Sequence, residues 1–260
     1  MCPAAGRIPG FMPRELVAHC LVVEGADSLT LVDTGFGLDD VADGGRRLGR
    51  AFVRLVGARL DPGRTAVRQI EALGHRPEDV RDIVLTHLDL DHAGGLSDFP
   101  WARVHVHRAE LDAARNPLRR ERLRYVPAQW DHDPDWVEHA AEGDDWLGFG
   151  AVQAVGEDVL MIPLHGHTRG HCGVAVRRPD RGWLLHAGDA YFAAGDKETP
   201  RSCPPGVRAY QAALAADGHQ RRANLARLQE LHQLHGPGGD GTVSMFCAHD
   251  LSELRTFDPR

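Results

Sequence analysis

The chain has 260 residues, 42% of them hydrophobic and 26% charged, the balance of a soluble globular protein with ample material for a core. Its 37 acidic residues against 30 basic ones give a net charge of −7, which weighs against a nucleic-acid binder. No apolar run approaches the roughly 18 residues of a membrane-spanning helix, Met1–Gly10 lacks the apolar stretch of a signal peptide, and five scattered cysteines without CxxC spacing argue against a disulfide scaffold. The expected setting is therefore cytoplasmic, without a membrane or nucleic-acid partner.

Leu16–Val23 and Leu29–Val32 are short apolar runs around Glu24-Gly25-Ala26-Asp27, which predicts a β-hairpin. The second strand runs into Asp33-Thr34-Gly35-Phe36-Gly37. Arg46 to Leu60 has helical spacing, with Leu48, Phe52, Leu55 and Val56 on one face, and Pro62-Gly63 breaks it. Thr65 to Leu73 resumes a helix that stops at Gly74. Strands are expected at Val80–Thr86, Val104–Val106, Val159–Leu164, Gly173–Arg177, Trp183–His186 and Val243–Cys247, with a turn at Pro179-Asp180-Arg181-Gly182 and a helix at Gln220–Leu234. Residues 115–150 carry Trp130, Trp136 and Trp146 among charges and prolines. They predict a partly irregular helical insertion, either covering a site or pinned to the core by its tryptophans. Strands and helices mix throughout, so the fold class is α/β with layered sheets.

The 16 histidines are the compositional anomaly. The densest group is Thr86-His87-Leu88-Asp89-Leu90-Asp91-His92-Ala93-Gly94-Gly95, where four metal-capable side chains fall within six positions after a strand. Imidazole suits zinc and iron, and carboxylate suits harder divalent ions. Three later strands also end in candidate ligands: Leu164-His165-Gly166-His167-Thr168-Arg169-Gly170-His171, His186-Ala187-Gly188-Asp189 and Cys247-Ala248-His249-Asp250. Strand ends of that kind are where α/β sheets hold ligands.

Together with Val32-Asp33-Thr34-Gly35, these elements resemble the metallo-β-lactamase superfamily, in its order, over residues 32–250. The resemblance implies an αββα four-layer sandwich formed by residues 1–260 as one domain, with a two-metal cleft. It implies His87, Asp89 and His167 as ligands of a first metal and Asp91, His92 and His249 as ligands of a second, with Asp189 bridging. Asp33 matches a buried supporting acid. His171 is expected to pack or to hydrogen-bond a ligand. The cofactors implied are two divalent ions, zinc foremost, with iron or manganese as alternatives.

Most hydrolases of the superfamily have histidine where this chain has Asp89. The extra carboxylate tilts preference toward Fe(II) or Mn(II), and flavodiiron relatives carry glutamate there. A second reading has Asp89 turned away from a weakened site. If Asp89 ligates, Asp89→His is expected to raise zinc affinity at the first site. The function implied is hydrolysis of a small-molecule ester, lactone or thioester by a metal-bridging hydroxide, nearest to the N-acyl homoserine lactonase branch. The alternatives are a di-iron redox protein and a non-catalytic metal- or ligand-binding module. Asp91 and Tyr191 are the catalytic candidates. Some lactonases place a tyrosine three residues after the bridging Asp, whereas Tyr191 stands two after Asp189. The arginines at 119, 120, 122 and 124 suggest a solvated helix face, or else contact with an anionic group. Oligomeric state is left open, with a homodimer as one option.

Overall fold

The apolar, β-branched runs pair into two sheets. The computed structural model describes residues 15–140, 143–179 and 182–257. In the first sheet, Leu21–Glu24 (β1) and Leu29–Val32 (β2) form the expected antiparallel hairpin. Val80–Val84 (β3), Arg103–His107 (β4) and Asp135–His139 (β5) follow in parallel, in the order β1-β2-β3-β4-β5. The second sheet contains Asp144–Trp146 (β6), Phe149–Val155 (β7), Val159–Pro163 (β8), Cys172–Arg178 (β9), Gly182–His186 (β10) and Val243–Phe246 (β11). Its order is β11-β10-β9-β8-β7-β6, antiparallel except for β10 with β11.

Among the described residues, seven α-helices flank the sheets: Leu38–Ala42 (α1), Arg50–Val56 (α2), Ala66–Ala72 (α3), Arg108–Arg115 (α4), Pro205–Leu214 (α5), Gly218–His235 (α6) and Leu251–Phe257 (α7). Three apolar cores define the layers. Ile70 and Leu111 of α3 and α4 pack on Leu31, Ile83 and Val104 of the first sheet. Val32 and Val84 meet Val159, Met161, Val174 and Val176 between the sheets. Leu225, Leu228 and Leu231 form the buried stripe of α6 against Ile162, Ala175 and Leu185 of the second sheet. The layers are thus helix, sheet, sheet, helix, the αββα sandwich that the resemblance implied.

Several local expectations change. The predicted helix over 46–60 is a π-helical turn, Gly45–Gly49, followed by α2, which ends at Gly57 in the left-handed conformation; the Leu55 side chain lies outside the described residues. Beyond Arg115, the described residues up to 150 form no α-helix: turns and a short 3-10 segment, Pro127–Gln129, lead into β5, β6 and the start of β7. Trp130 and Trp136 pack on the first-sheet core, and Trp146 is buried in the second-sheet core beside Trp183, with ring centroids 5.6 Å apart. Trp136 and Trp146 thereby anchor β5 and β6, and Trp130 anchors the turn after Pro127–Gln129. Helices α1, α4, α5 and α7 were not expected; three of them are short or polar and carry little apolar periodicity. Met1–Gly10 and residues 180 and 181 of the predicted turn lie outside the described residues. Among those described, no helix is long and apolar enough to cross a membrane.

Candidate metal centre

Four strands deliver candidate ligands to one edge of the sandwich. His87, Asp89, Asp91 and His92 follow β3, His167 follows β8, Asp189 follows β10, and His249 follows β11. They form two adjoining groups, His87–Asp89–His167–Asp189 and Asp91–His92–His249, within each of which the donor atoms lie within 4.8 Å of one another. All seven residues are buried.

Asp189 faces both groups. Its Oδ2 is 3.1 Å from His249 Nε2, 3.3 Å from His167 Nε2 and 3.7 Å from His87 Nε2, and its Oδ1 is 3.0 Å from His249 Nε2 and 3.5 Å from His92 Nε2. Asp89 turns inward: its Oδ2 is 3.0 Å from His167 Nε2 and 3.5 Å from His87 Nε2. Asp91 lies 3.9 Å from His249 Nε2 and 4.0 Å from His92 Nε2. His87 Nε2, His92 Nε2 and Asp189 Oδ1 are buried with no hydrogen-bond partner. Native interiors rarely leave such atoms unsatisfied. Four imidazoles and three carboxylates converging there fit divalent cations, with nitrogen and oxygen donors suited to zinc, iron or manganese.

The opposite edges of the rings are held by the fold. Asp33 Oδ2 accepts from His92 Nδ1 at 2.8 Å and from the Thr86 hydroxyl at 2.8 Å, and its Oδ1 accepts from Thr86 N. Thr86 Oγ1 is in turn 2.9 Å from His87 Nδ1, and His249 Nδ1 donates to Val17 O at 2.7 Å. Such partners fix the tautomer and ring orientation of ligand histidines. The Thr34 hydroxyl donates to His92 O and accepts from Gly95 N, tying the 33–35 turn to the 87–95 loop. Gly94 is required there, because a Cβ would lie 2.3 Å from Asp40 Oδ2 and 2.6 Å from Gly35 O.

Charge is arranged to match. Burial alone would raise Asp189, but His249, His92 and His167 outweigh it and hold the carboxyl well below the usual range. Burial likewise opposes ionisation of Asp89, and Arg124 followed by His87 overrides it. His92 is depressed by burial yet driven up to about 10 by Asp189 and Asp33. His171 goes the other way: burial, then His87 and His167, keep it neutral.

Arg124, which the sequence offered only within an arginine run, and two residues it did not single out, Glu110 and Tyr210, shape the site. Arg124, in the arginine-rich stretch, is turned inward while Arg119, Arg120 and Arg122 are exposed. Its Nε is 3.2 Å from Asp89 Oδ1, and its two terminal nitrogens donate to His167 O and Leu214 O, each at 2.9 Å. The stretch is a series of turns rather than a helix face, which is why helical spacing misplaced it. Glu110 of α4 is fully buried and accepts from Leu88 N, Tyr125 Oη, Thr168 Oγ1 and Gly170 N, clamping both ligand loops. An acid on the buried stripe of an amphipathic helix was the available signal. Tyr210 of α5 meets Phe192 edge-on with centroids 5.9 Å apart, and Phe192 lies 4.6 Å from the His249 ring and 5.8 Å from His167. Burial, then Asp91, Asp189 and Asp89, push its phenol above the usual value, keeping it protonated.

Tyr191 does not join this group. It is fully buried in the second-sheet core and donates to Glu253 Oε1 at 3.3 Å. The third residue after Asp189 is Phe192, against whose ring Tyr210 of α5 packs. The hydroxyl of the catalytic candidate Tyr191 is thus engaged by Glu253 within the core.

Comparison with known proteins agrees with this geometry. Residues 13–237 match the family model described as the metallo-beta-lactamase superfamily. A probable metallo-hydrolase of Mycobacterium tuberculosis is 45% identical over 239 residues, covering 90% of this chain and 75% of its own. An N-acyl homoserine lactonase of Rhizobium johnstonii is 30% identical over 183 residues, covering 70% of this chain and 65% of its own. A solved N-acyl homoserine lactone hydrolase with N-hexanoyl-L-homoserine at its metal centre has a TM-score of 0.69 at 22% identity, over 93% of this chain and 84% of its own, a likeness of fold. Because the family match runs through most of the chain and the 45% identity extends over nine-tenths of it, this protein belongs to the metallo-beta-lactamase superfamily.

Proposed function

We propose that the chain is a dinuclear metal-dependent hydrolase of small-molecule lactones, esters or thioesters. The observation that carries the reading is the Asp189 carboxylate, which faces both groups of candidate ligand atoms, with His87 Nε2, His92 Nε2 and its own Oδ1 buried without a hydrogen-bond partner. His87, Asp89, His167 and Asp189 would hold one ion, and Asp91, His92, His249 and Asp189 the other. Bound divalent ions supply a hydroxide nucleophile at neutral pH and polarise a carbonyl oxygen. Zinc is the ion that an imidazole-rich set suits best.

The chain's own groups supply the rest. Tyr210 offers a protonated phenol beside Phe192, placed to donate to a carbonyl oxygen that gains charge during attack. Asp91, buried at the edge of the second group, is placed to take a proton and return it to the leaving alkoxide or thiolate. Phe192 packs on His167 and His249 and presents an apolar wall that excludes water. The lactonase relative points to a lactone as the first substrate class.

Elemental analysis of protein purified without added metal or chelator, followed by assays on N-hexanoyl homoserine lactone, aryl esters and acyl thioesters, tests the reading. About two equivalents of metal and a hydrolysis lost on chelation and restored by zinc are expected. Well under one equivalent after reconstitution would sink it, and iron with oxygen reactivity would favour the redox alternative.

A further inference from the structure

We infer that Arg124 is the positioning residue that lets Asp89 serve at the first metal where a histidine would otherwise stand. The proposal rests on the two-metal reading and deepens it. The two oxygens of Asp89 have different neighbours: Oδ2 faces His167 and His87, while Oδ1 faces Arg124 Nε at 3.2 Å. One oxygen therefore faces the site, and the other faces the guanidinium as an ion pair. The guanidinium cannot swing away, since its remaining nitrogens are committed to His167 O and Leu214 O. It thereby ties together the 87–92 loop, the 165–168 loop and the end of α5. A rigid fork can serve three acceptors in fixed directions, which an ammonium cannot.

Charge gives the pairing its consequence. Asp89 and Arg124 side chains are 11% and 12% exposed, so their charges are poorly screened. Together they are neutral, as an imidazole would be. The three carboxylates at 89, 91 and 189 therefore act as two net negative charges, the charge the centre would carry with histidine at 89. The pull toward harder ions that Asp89 exerts alone is cancelled, and zinc remains the expected ion. The expectation for Asp89→His also reverses. With Arg124 in place, that substitution leaves an uncompensated buried cation beside the metals.

Four proteins test this: the unsubstituted chain, Arg124→Met, Asp89→His and the Asp89→His/Arg124→Met double variant. Each is loaded with zinc, dialysed against the same chelator and analysed for zinc per chain, with the affinity of the weaker site measured by chelator competition. The unsubstituted chain and the double variant are expected to keep two equivalents. Each single variant should fall toward one, with weaker-site affinity lower by roughly 10- to 100-fold, the usual cost of losing a group that orients a ligand. Arg124→Lys should recover only part of it. Mere misfolding cannot produce rescue by a second substitution, so recovery in the double variant separates the two. The inference is overturned if Arg124→Met keeps two tightly held zinc ions, or if the double variant is no better than Arg124→Met. If the unsubstituted chain itself never holds two equivalents, the two-metal reading fails and this inference with it.

Discussion

His171 holds the backbone of Asp189: the Asp189 N–H donates to His171 Nε2 at 2.8 Å, while His171 Nδ1 donates to Leu164 O at 3.0 Å. The imidazole is thereby fixed in one neutral tautomer and joins the ends of β8 and β10. Gly188 sits between them at φ +53, where an added Cβ would lie 2.6 Å from His171 Nε2. The Asp189 carboxylate is thus placed by a histidine that belongs to neither group of candidate ligands.

His171→Ala should strand two buried backbone groups and cost about 1–3 kcal/mol of stability. Thermal unfolding of metal-free protein would measure it. A second expected outcome is reduced metal retention in dialysis, because Asp189 loses its anchor. Unchanged stability and retention would show that the loop is held elsewhere.

Glu110→Ala should be more damaging, since four donors from Leu88, Tyr125, Thr168 and Gly170 lose one carboxylate. Hydrogen exchange would be expected to rise in both ligand loops together, residues 87–92 and 165–171. Glu110→Gln keeps the shape but turns an NH2 group toward donors, so it should restore packing without full stability.

Tyr210→Phe should leave metal content intact and lower kcat about 100-fold, the scale of one lost oxyanion donor. Tyr191→Phe should leave turnover close to that of the unsubstituted chain, since the Tyr191 hydroxyl is spent on Glu253. Parallel assays of the two variants decide between them. A loss of turnover confined to Tyr191→Phe would restore the sequence-based expectation.

His107 supplies a pH dependence away from the metals. Burial first, then His165, His139 and Arg108, lower its pKa from 6.5 to about 4. Its unfolded form takes a proton near pH 6.5 and its folded form only near 4. The associated stability is therefore complete above pH 6.5 and is lost as pH falls from 6.5 toward 4. His107→Asn keeps an acceptor for Ala109 N, which His107 Nδ1 now caps at 3.2 Å. Urea unfolding at pH 7 and at pH 5 should show a smaller difference for that variant than for the unsubstituted chain.

Much of the centre was readable in the chain itself. Ligands at the ends of short apolar strands declare themselves locally, because strand, turn and side-chain type sit within a few residues. The 87–92 group, His167, Asp189 and His249 were found that way and converge as expected. The β1–β2 hairpin and most central strands were equally legible, since burial on both faces demands continuous apolar runs such as Leu29–Val32. Segment 115–150 was not, because its strands at the sheet edges are half-exposed and mix charges with tryptophans.

The amino-acid sequence by itself determined the ligand types, their order along the chain and the substitution of aspartate at 89. The tertiary structure alone decided what those ligands face. It carried Arg124 across from a run of otherwise exposed arginines to Asp89, brought Glu110 under two loops 22 and 60 residues away, and set Tyr210 rather than Tyr191 beside the cluster. Each of these depends on contacts between segments distant in sequence. Local periodicity reports which face of an element is buried, but a charge or hydroxyl finds its partner only when the layers pack.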